Sequence, residues 1–172
     1  MEDSSCILFG ILIIIGLYII IEFLIINKNR KEVNKKFLEL DSIFEKRMNI
    51  LSKMVDIVKG YDRNQFDDLG SRLYDYIKSY SDFDCNKKIE INETLDCDIK
   101  KLLLVTKVYP ELNDLSKYVK LEKQIIRYSK VIKKMKLRYN KMVDDYNYKR
   151  RIFPRRILCV IGRFYNYDYF RI

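Results

Sequence analysis

The chain has 172 residues, which is enough for one folded core and a short extra segment but too few for two full cores. It carries 34 basic against 24 acidic residues, with five glycines, two prolines and no histidine, tryptophan or alanine. So few helix breakers predict a helical protein. The absence of histidine removes the usual general base and the commonest metal ligand, which argues against an enzyme.

Residues 6–26 form the first predicted element, and they are apolar except for Tyr18 and Glu22. A helix of this length reaches roughly 30 Å, the thickness of the hydrocarbon core of a bilayer. Acidic residues precede it and no run of small residues follows it, unlike a secretory signal. We therefore expect a short segment at 1–5 and an uncleaved transmembrane helix at 6–26, with Glu22 at the interface.

The residues after this helix predict its orientation. Five bases, opposed only by Glu32, follow directly: Lys28, Arg30, Lys31, Lys35 and Lys36. The positive-inside tendency predicts a single-pass cell-membrane protein with its N-terminus outside and the rest in the cytoplasm.

The remaining cysteines Cys85, Cys97 and Cys159 lack metal-ligand spacing. We expect free thiols in a reducing compartment, although four cysteines could in principle pair.

Four apolar stripes at helical spacing follow the anchor. The first contains Phe37, Leu40, Phe44, Leu51, Met54, Val58 and Tyr61, with Arg47 in its one vacant slot. The second contains Phe66, Leu69, Leu73, Tyr76, Tyr80 and Phe83, and a polar break at 81–92 ends it. The third contains Leu95, Ile99, Leu102, Thr106 and Tyr109. The fourth contains Tyr118, Leu121, Ile125, Tyr128, Ile132, Met135, Tyr139, Met142 and Tyr146.

These stripes predict an all-α fold, in which the single transmembrane helix is followed at 27–152 by an antiparallel four-helix bundle of long amphipathic helices. The pattern allows the first of them to continue straight out of the membrane. The same a and d positions would also serve a coiled-coil homo-oligomer.

Two boundaries are predicted within the bundle. Gly60 is expected to end one helix in a left-handed turn, and Tyr109-Pro110 to end another, with ligand binding as the weaker alternative.

A Tyr-Asn pair occurs twice, seven residues apart, in the fourth helix. Tyr139 and Tyr146 occupy equivalent core-facing positions, and Asn140 and Asn147 lie at the seam with a neighbouring element, where an amide can bridge to a loop carbonyl. A packing and hydrogen-bonding device is the stronger interpretation and a ligand site the weaker one. The partners expected for the tyrosine hydroxyls are Asp41, Arg47 or a buried water.

The last predicted segment, at 153–172, is basic and rich in aromatic residues. The bases that we expect to contact an anionic surface are Lys149, Arg150, Arg151, Arg155, Arg156 and Arg163. Anionic lipid head groups fit this composition. Nucleic acid fits it less well, because no helix-turn-helix, zinc or RNA-recognition motif accompanies the charge. Equally, the segment could cover the open end of the bundle while its arginines stay solvated.

Several motifs occur in a fixed order after the anchor: "LDSIFEKRMNILSKMVDIVKGY", "YPELNDLSKYVKLEKQI", "RYNKMVDDYN" and "FP". Over nearly the whole chain they resemble the LemA family of bacterial membrane-anchored proteins. The positions that carry the resemblance include Asp41, Arg47, Lys59, Gly60, Tyr61, Tyr109, Pro110, Tyr139, Asn140, Tyr146, Asn147, Phe153 and Pro154. The resemblance implies a single span followed by a cytoplasmic-facing helical bundle, and it supplies no catalytic mechanism.

The chain departs from the family pattern at polar positions. Ser52 stands where proline is usual, Asn64-Gln65 where His-Glu is common, and Lys107 where an acid precedes the Tyr-Pro. If those positions form a family site, that site is altered here.

No catalytic motif offsets the missing histidine. The sequence has no glycine-rich phosphate loop, no nucleophile elbow and no di-iron carboxylate pattern. We therefore expect a non-enzymatic scaffold or adaptor without a cofactor or metal, tethered to the membrane and recruiting an unidentified protein partner. The alternative is a module that binds anionic lipid or, with weaker support, nucleic acid.

Overall fold

A computed structural model describes residues 2–60 and 67–171. Throughout these residues the regular secondary structure is helical, which confirms the prediction of an all-α chain. The elements in chain order are α1 (Glu2–Lys59), α2 (Asp67–Ser79), a 3-10 turn (Tyr80–Asp82), α3 (Cys85–Thr106), α4 (Pro110–Asp114), α5 (Ser116–Arg151) and α6 (Arg155–Ile161).

Helix α1 contains the apolar stretch and continues without a break to Lys59. Nearly every apolar side chain from Ile7 to Ile25 is exposed, and only 11% of the most apolar window is buried. By its length and composition this helix could cross a membrane. The predicted boundary between residues 26 and 27 falls inside the continuous helix.

The described chain divides into two compact units. The first unit is Met1–Phe37 with Tyr139–Tyr167, and the second is Leu38–Arg138 with Asp168–Ile172. Helices α1 and α5 contribute residues to both. The C-terminal segment predicted at 153–172 is therefore shared between the units, and its last residues belong to the second.

The core of the second unit is built from the predicted stripes. The buried apolar side chains from α1, α3 and α5 include Leu40, Phe44, Leu51, Met54, Leu95, Ile99, Leu102, Tyr118, Ile125 and Ile132. Their burial confirms which face of each helix points inward. Arg47, in the vacant slot of the first stripe, is also fully buried. A polar group is thus built into this core.

The polar break predicted at 81–92 is wrong over most of its length, because α3 already begins at Cys85. The reason is that the buried face of this turn of helix is itself partly polar. Lys88 is 9% exposed and Asn92 is fully buried, one helical turn apart. An apolar stripe is therefore a poor guide to where α3 starts.

Helix ends agree with the sequence at one predicted boundary and differ at the other. Tyr109 is extended and Pro110 opens α4, as expected for a residue before proline and a proline in the first turn. Gly60 does follow the last residue of α1, but no glycine in the described residues has a positive φ, so the left-handed turn is wrong. Instead its N–H donates to Ile57 O at 3.1 Å, a tightened last turn. Tyr61, Asn64, Gln65 and Phe66 lie outside the described residues.

Candidate functional site

A buried polar network crosses the second unit, and its first half centres on Asp41 of α1. One carboxylate oxygen accepts a hydrogen bond from the hydroxyl of Tyr80 at 2.9 Å, and the other accepts one from Lys88 Nζ at 2.7 Å. Lys88 also lies over the Tyr80 ring, 5.0 Å from its centroid. Burial and the adjacent Asp41 carboxylate raise the pKa of Tyr80, against the opposing effect of Asn92.

The second half centres on Asp96 of α3, which receives two cations. Arg47 Nη1 pairs with one carboxylate oxygen, and Lys136 Nζ of α5 lies 2.8 Å from the other. Arg47 Nη2 also donates to Asn92 Oδ1 at 2.8 Å. Burial of Asp96 favours its neutral form, but the charges of Arg47 and Lys136 outweigh burial and hold its pKa below the ordinary value.

Aromatic rings enclose this half of the network. The Phe44 ring lies 5.5 Å from the Arg47 guanidinium and 6.0 Å from Lys136 Nζ. Phe170, only 2% exposed, packs 5.7 Å from Phe44 and 5.5 Å from Lys136 Nζ. Each cation therefore lies over an aromatic face as well as beside a carboxylate.

The network has the character of a structural site. It holds the two carboxylates of Asp41 and Asp96 against three cations, Arg47, Lys88 and Lys136. One buried donor, Arg47 Nε, has no hydrogen-bond partner in the part of the chain that the structure describes. Sequence analysis singled out Asp41 and Arg47 but missed their partners. The available signal was the spacing of Lys88, Asn92 and Asp96, which recur every four residues on one helix face.

A groove lies beside the network on the surface formed by α3 and α5. It is a pocket of about 370 Å³, and Asp96 and Lys136 are among its lining residues. Its other apolar lining residues are Ile99, Leu103, Ile125 and Ile126, and its other polar lining residues are Lys100, Ser129, Lys130, Lys133 and Arg171. We call this pocket the lysine groove. Ile99 and Ile125 are buried and form its apolar floor, and the exposed side chains of Lys100, Lys130 and Lys133 form a cationic rim.

In the first unit, the second Tyr-Asn pair holds the C-terminal segment. Asn147 Nδ2 donates to Tyr167 O at 3.1 Å, and Tyr167 N donates back to Asn147 Oδ1 at 3.3 Å. The Tyr146 ring meets the Tyr167 ring edge-on at 5.2 Å, and the Tyr167 hydroxyl donates to Asn34 Oδ1 at 2.5 Å. Asn147 thus bridges to a loop, as its register predicts.

The partners predicted for the buried tyrosines are wrong for Tyr146. Its hydroxyl has no hydrogen-bond partner in the described structure, whereas Asp41 and Arg47 are engaged within the second unit. Burial raises the pKa of Tyr146 to about 12. Tyr139 is 2% exposed and packs 6.0 Å from the Phe37 ring.

Helix α6 and the turn after it are held against α1 at the end of the exposed apolar stretch. Glu22 pairs with the guanidinium of Arg155, and both side chains are largely buried. Phe164 stacks on Phe23 with ring centroids 5.7 Å apart, and the Arg30 guanidinium lies 5.0 Å from its ring centroid. Glu22 is therefore part of an ion pair within the first unit.

Four of the six predicted anion-contacting residues come together beside α6. A pocket of about 590 Å³ is lined by Arg150, Arg151, Arg156, Cys159, Val160, Arg163, Phe164 and Tyr165. We call it the arginine cavity, and none of the lining residues that the structure describes is acidic. Arg150 Nη1 donates to Phe164 O at 2.5 Å, which fixes one wall. Arg155 instead pairs with Glu22, and Lys149 lines a separate pocket of about 170 Å³.

The arginine cavity depends on an unusual helix end. Phe164 N donates to Cys159 O at 2.8 Å and Arg163 N to Val160 O at 3.3 Å, the two bonds of a Schellman motif. Its left-handed position, where glycine is favoured, is occupied by Arg163 with φ of 50°. Gly162 lies directly before it, and a Cβ there would come within 3.2 Å of the Phe164 ring.

Most of the chain matches a known protein family. Residues 36–172 match the LemA family, which is most of the chain and begins after the apolar stretch. The chain belongs to the LemA family. No curated protein matches it.

The LemA positions predicted from the sequence have varied surroundings in the structure. Lys59 lies over the Tyr74 ring at 4.9 Å, and Asn140 is half-buried. Phe153 is 76% exposed and joins Pro154, before α6, through a cis peptide bond. Two positions that depart from the LemA pattern, Ser52 and Lys107, are half-buried and exposed respectively.

No group of three or more His, Cys, Asp or Glu could hold a metal ion among the residues that the structure describes. Cys85 and Cys97 are exposed free thiols, and Cys159 is a buried free thiol.

Proposed function

We propose that this LemA protein is a non-enzymatic, single-pass membrane adaptor that recruits a protein partner. Helix α1 supplies the anchor, the N-terminus lies outside, and the helical part lies in the cytoplasm, as the bases after the apolar stretch favour. The observation that carries the proposal is the lysine groove, which offers an apolar floor within a cationic rim.

The partner that fits this groove is an acidic amphipathic segment of another protein. Ile99, Leu103 and Ile125 supply the floor for an apolar helix face. The exposed lysines Lys130 and Lys133 favour acidic residues at the edges of that face, because complementary charges raise the rate and specificity of association.

We further infer that α1, α2, α3 and α5 pack as an antiparallel four-helix bundle. Contacts within the second unit support this packing: Arg47 of α1 bonds Asn92 of α3, and Asp96 of α3 pairs with Lys136 of α5. Such a bundle gives the groove two well-packed walls.

Photo-crosslinking in native membranes tests the adaptor role. A photo-reactive residue at Ile126, 39% exposed on the groove, should give a discrete adduct with a partner protein. The charge-reversed variant is Lys100→Glu, Lys130→Glu, Lys133→Glu. The matched control, with the same charge change on exposed lysines that do not line the groove, is Lys46→Glu, Lys117→Glu, Lys120→Glu.

The adduct should fall at least tenfold in the groove variant and persist in the control. An equal fall in both variants, or no adduct from Ile126, would overturn the proposal. An adduct with a second copy of the chain would assign the groove to self-association instead.

The orientation is tested with the native thiols. Cys85 and Cys97 are exposed, so an impermeant maleimide should label them in lysed cells and spare them in intact cells. Replacement of Cys6 by Ser removes the thiol at the anchor. Rapid labelling of intact cells would place the second unit on the outer side.

A second candidate function, binding of anionic lipid at the membrane surface, is favoured by a separate observation, the arginine cavity. Nucleic acid is a poorer ligand for it, since exposed apolar side chains adjoin the arginines. This cavity belongs to the first unit and the lysine groove to the second, so one chain can have both functions.

A further inference from the structure

We propose that the arginine cavity binds the phosphate of an anionic phospholipid, and that α6 lies in the interface of the leaflet where α1 leaves the membrane. This inference rests on the membrane anchoring proposed above and is independent of the protein partner. Three features of the first unit carry it: where α6 is held, which charges line the cavity, and which side chains are exposed around it.

The position of α6 follows from its contacts with α1. Its first residue, Arg155, pairs with Glu22, and the Phe164 ring after it lies against Phe23 and Arg30. On α1, exposed apolar side chains run as far as Ile25, after which the basic stretch begins. The contacts therefore hold α6 at the level where the anchor passes from hydrocarbon to head groups.

The arginines give the cavity a positive charge, opposite in sign to that of a lipid phosphate. Arg151, Arg156 and Arg163 are exposed on its walls, and Arg150 is oriented by its bond to Phe164 O. Guanidinium groups bind phosphate oxygens in a bidentate manner, and among the described lining residues no carboxylate competes for them. An anion is the ligand class that these four groups favour.

The side chains around the cavity distinguish a lipid from a free phosphate. Along α6 and its flanks, Ile157 is 52% exposed, Val160 74%, Ile161 75%, Phe153 76% and Tyr165 75%. Exposure of so many apolar side chains to water around a seven-residue helix is unfavourable. At the boundary between acyl chains and head groups, by contrast, apolar and aromatic side chains beside arginines are stabilised. A soluble phosphate would leave this apolar cluster without a role.

The depth of α6 can be measured directly, because the chain has no tryptophan of its own. The full chain carrying Val160→Trp is reconstituted into phosphatidylcholine vesicles that contain phosphatidylglycerol and lipids brominated on their acyl chains. Its fluorescence should be strongly quenched, and Lys141→Trp, an exposed position on α5 in the same first unit but outside the arginine cavity, should be quenched several-fold less. Equal weak quenching of both would overturn the interfacial position of α6.

The ligand is tested with the full chain in detergent, with Tyr165→Trp on the cavity wall as reporter. Short-chain phosphatidylglycerol should bind more tightly than short-chain phosphatidylcholine or inorganic phosphate. Arg156→Gln with Arg163→Gln should weaken phosphatidylglycerol binding about thirty-fold, as expected for two basic contacts. The control Arg127→Gln with Arg138→Gln removes the same charge from exposed residues outside the cavity and should change nothing.

Two results would overturn the ligand assignment: equal affinity for the two lipids, or inorganic phosphate binding as tightly as phosphatidylglycerol. Resistance of α1 to alkaline extraction from membranes is measured in parallel. Failure of the anchor is thereby distinguished from failure of the cavity.

Discussion

The ammonium group of Lys136 lies 2.8 Å from a carboxylate oxygen of Asp96, and only 4% of the lysine side chain is exposed. The same carboxylate receives Arg47, so two helices each direct a cation onto one acid of α3. Desolvation makes such charges costly unless every member keeps its partner. The network therefore links α1, α3 and α5 in the second unit through one shared carboxylate.

Arg47→Ala should lower the free energy of unfolding by about 3–5 kcal/mol, because it removes a fully buried cation and leaves Asn92 and Asp96 without one partner each. Urea unfolding of the full chain, followed by far-UV circular dichroism, measures the loss. Lys87→Ala removes the exposed pair with Glu90 and should change stability by less than about 1 kcal/mol. Similar losses for the two variants would contradict the assignment of the network to the core.

Acid should weaken the network through Asp96. Its pKa is lower in the folded chain than the unfolded value of about 3.9, so the stability it contributes is complete above that value and is lost as the pH falls through the folded pKa. The difference in Tm between the native chain and Asp96→Asn should be constant near neutral pH and shrink below about pH 4. The exposed-residue control Asp75→Asn should behave like the native chain, and a difference that persists in strong acid would refute the linkage.

Removal of two buried tyrosine hydroxyls should change the free energy of unfolding to different extents. Tyr80→Phe takes away the donor to Asp41 and should cost about 1–3 kcal/mol. Tyr146→Phe removes a hydroxyl without a hydrogen-bond partner and should be neutral or slightly stabilising. Thermal unfolding of both variants gives the comparison. An equal cost for both would contradict a stabilising role for the hydrogen bond from Tyr80 to Asp41.

Replacing Arg163 at the helix end beside the arginine cavity should raise stability, although it removes one of the positive charges of the cavity. Arg163→Gly places the favoured residue in the left-handed position and should stabilise the chain by about 1 kcal/mol. Gly162→Ala should destabilise it, because the added Cβ meets the Phe164 ring. Thermal unfolding measures both, and a loss of stability in Arg163→Gly would show that Arg163 contributes more to the fold than its backbone costs.

Much of the helical framework follows from periodicity alone. The apolar stretch, the buried stripes and the Tyr109-Pro110 boundary are visible in sequence because each depends on neighbours along the chain. The start of α3 was missed because Lys88 and Asn92 are buried by partners on other elements, which periodicity cannot identify. Gly60 was misread for a related reason, since a glycine after a helix is compatible with more than one closing turn.

For the candidate sites, the sequence predicts which kinds of residue are present but not how they are arranged. Six bases near the C-terminus were recognised as a group, yet the sequence could not separate Arg155, which pairs with Glu22 far away in the chain, from the four arginines that share a cavity. The lysine groove was not predicted at all, because its rim combines Lys100 of α3 with lysines of α5. Long-range pairing of this kind leaves no local pattern.

Phe170 has a consequence for biosynthesis. This ring closes the aromatic enclosure around Phe44 and Lys136, yet ribosomes make it more than a hundred residues after Phe44. Translation proceeds at on the order of ten residues per second, so those charged and apolar groups stay uncovered for about ten seconds in the nascent chain. During that interval the chain is a natural substrate for chaperones, and mutations that slow the arrival or docking of Phe170 should lower yield before they lower equilibrium stability.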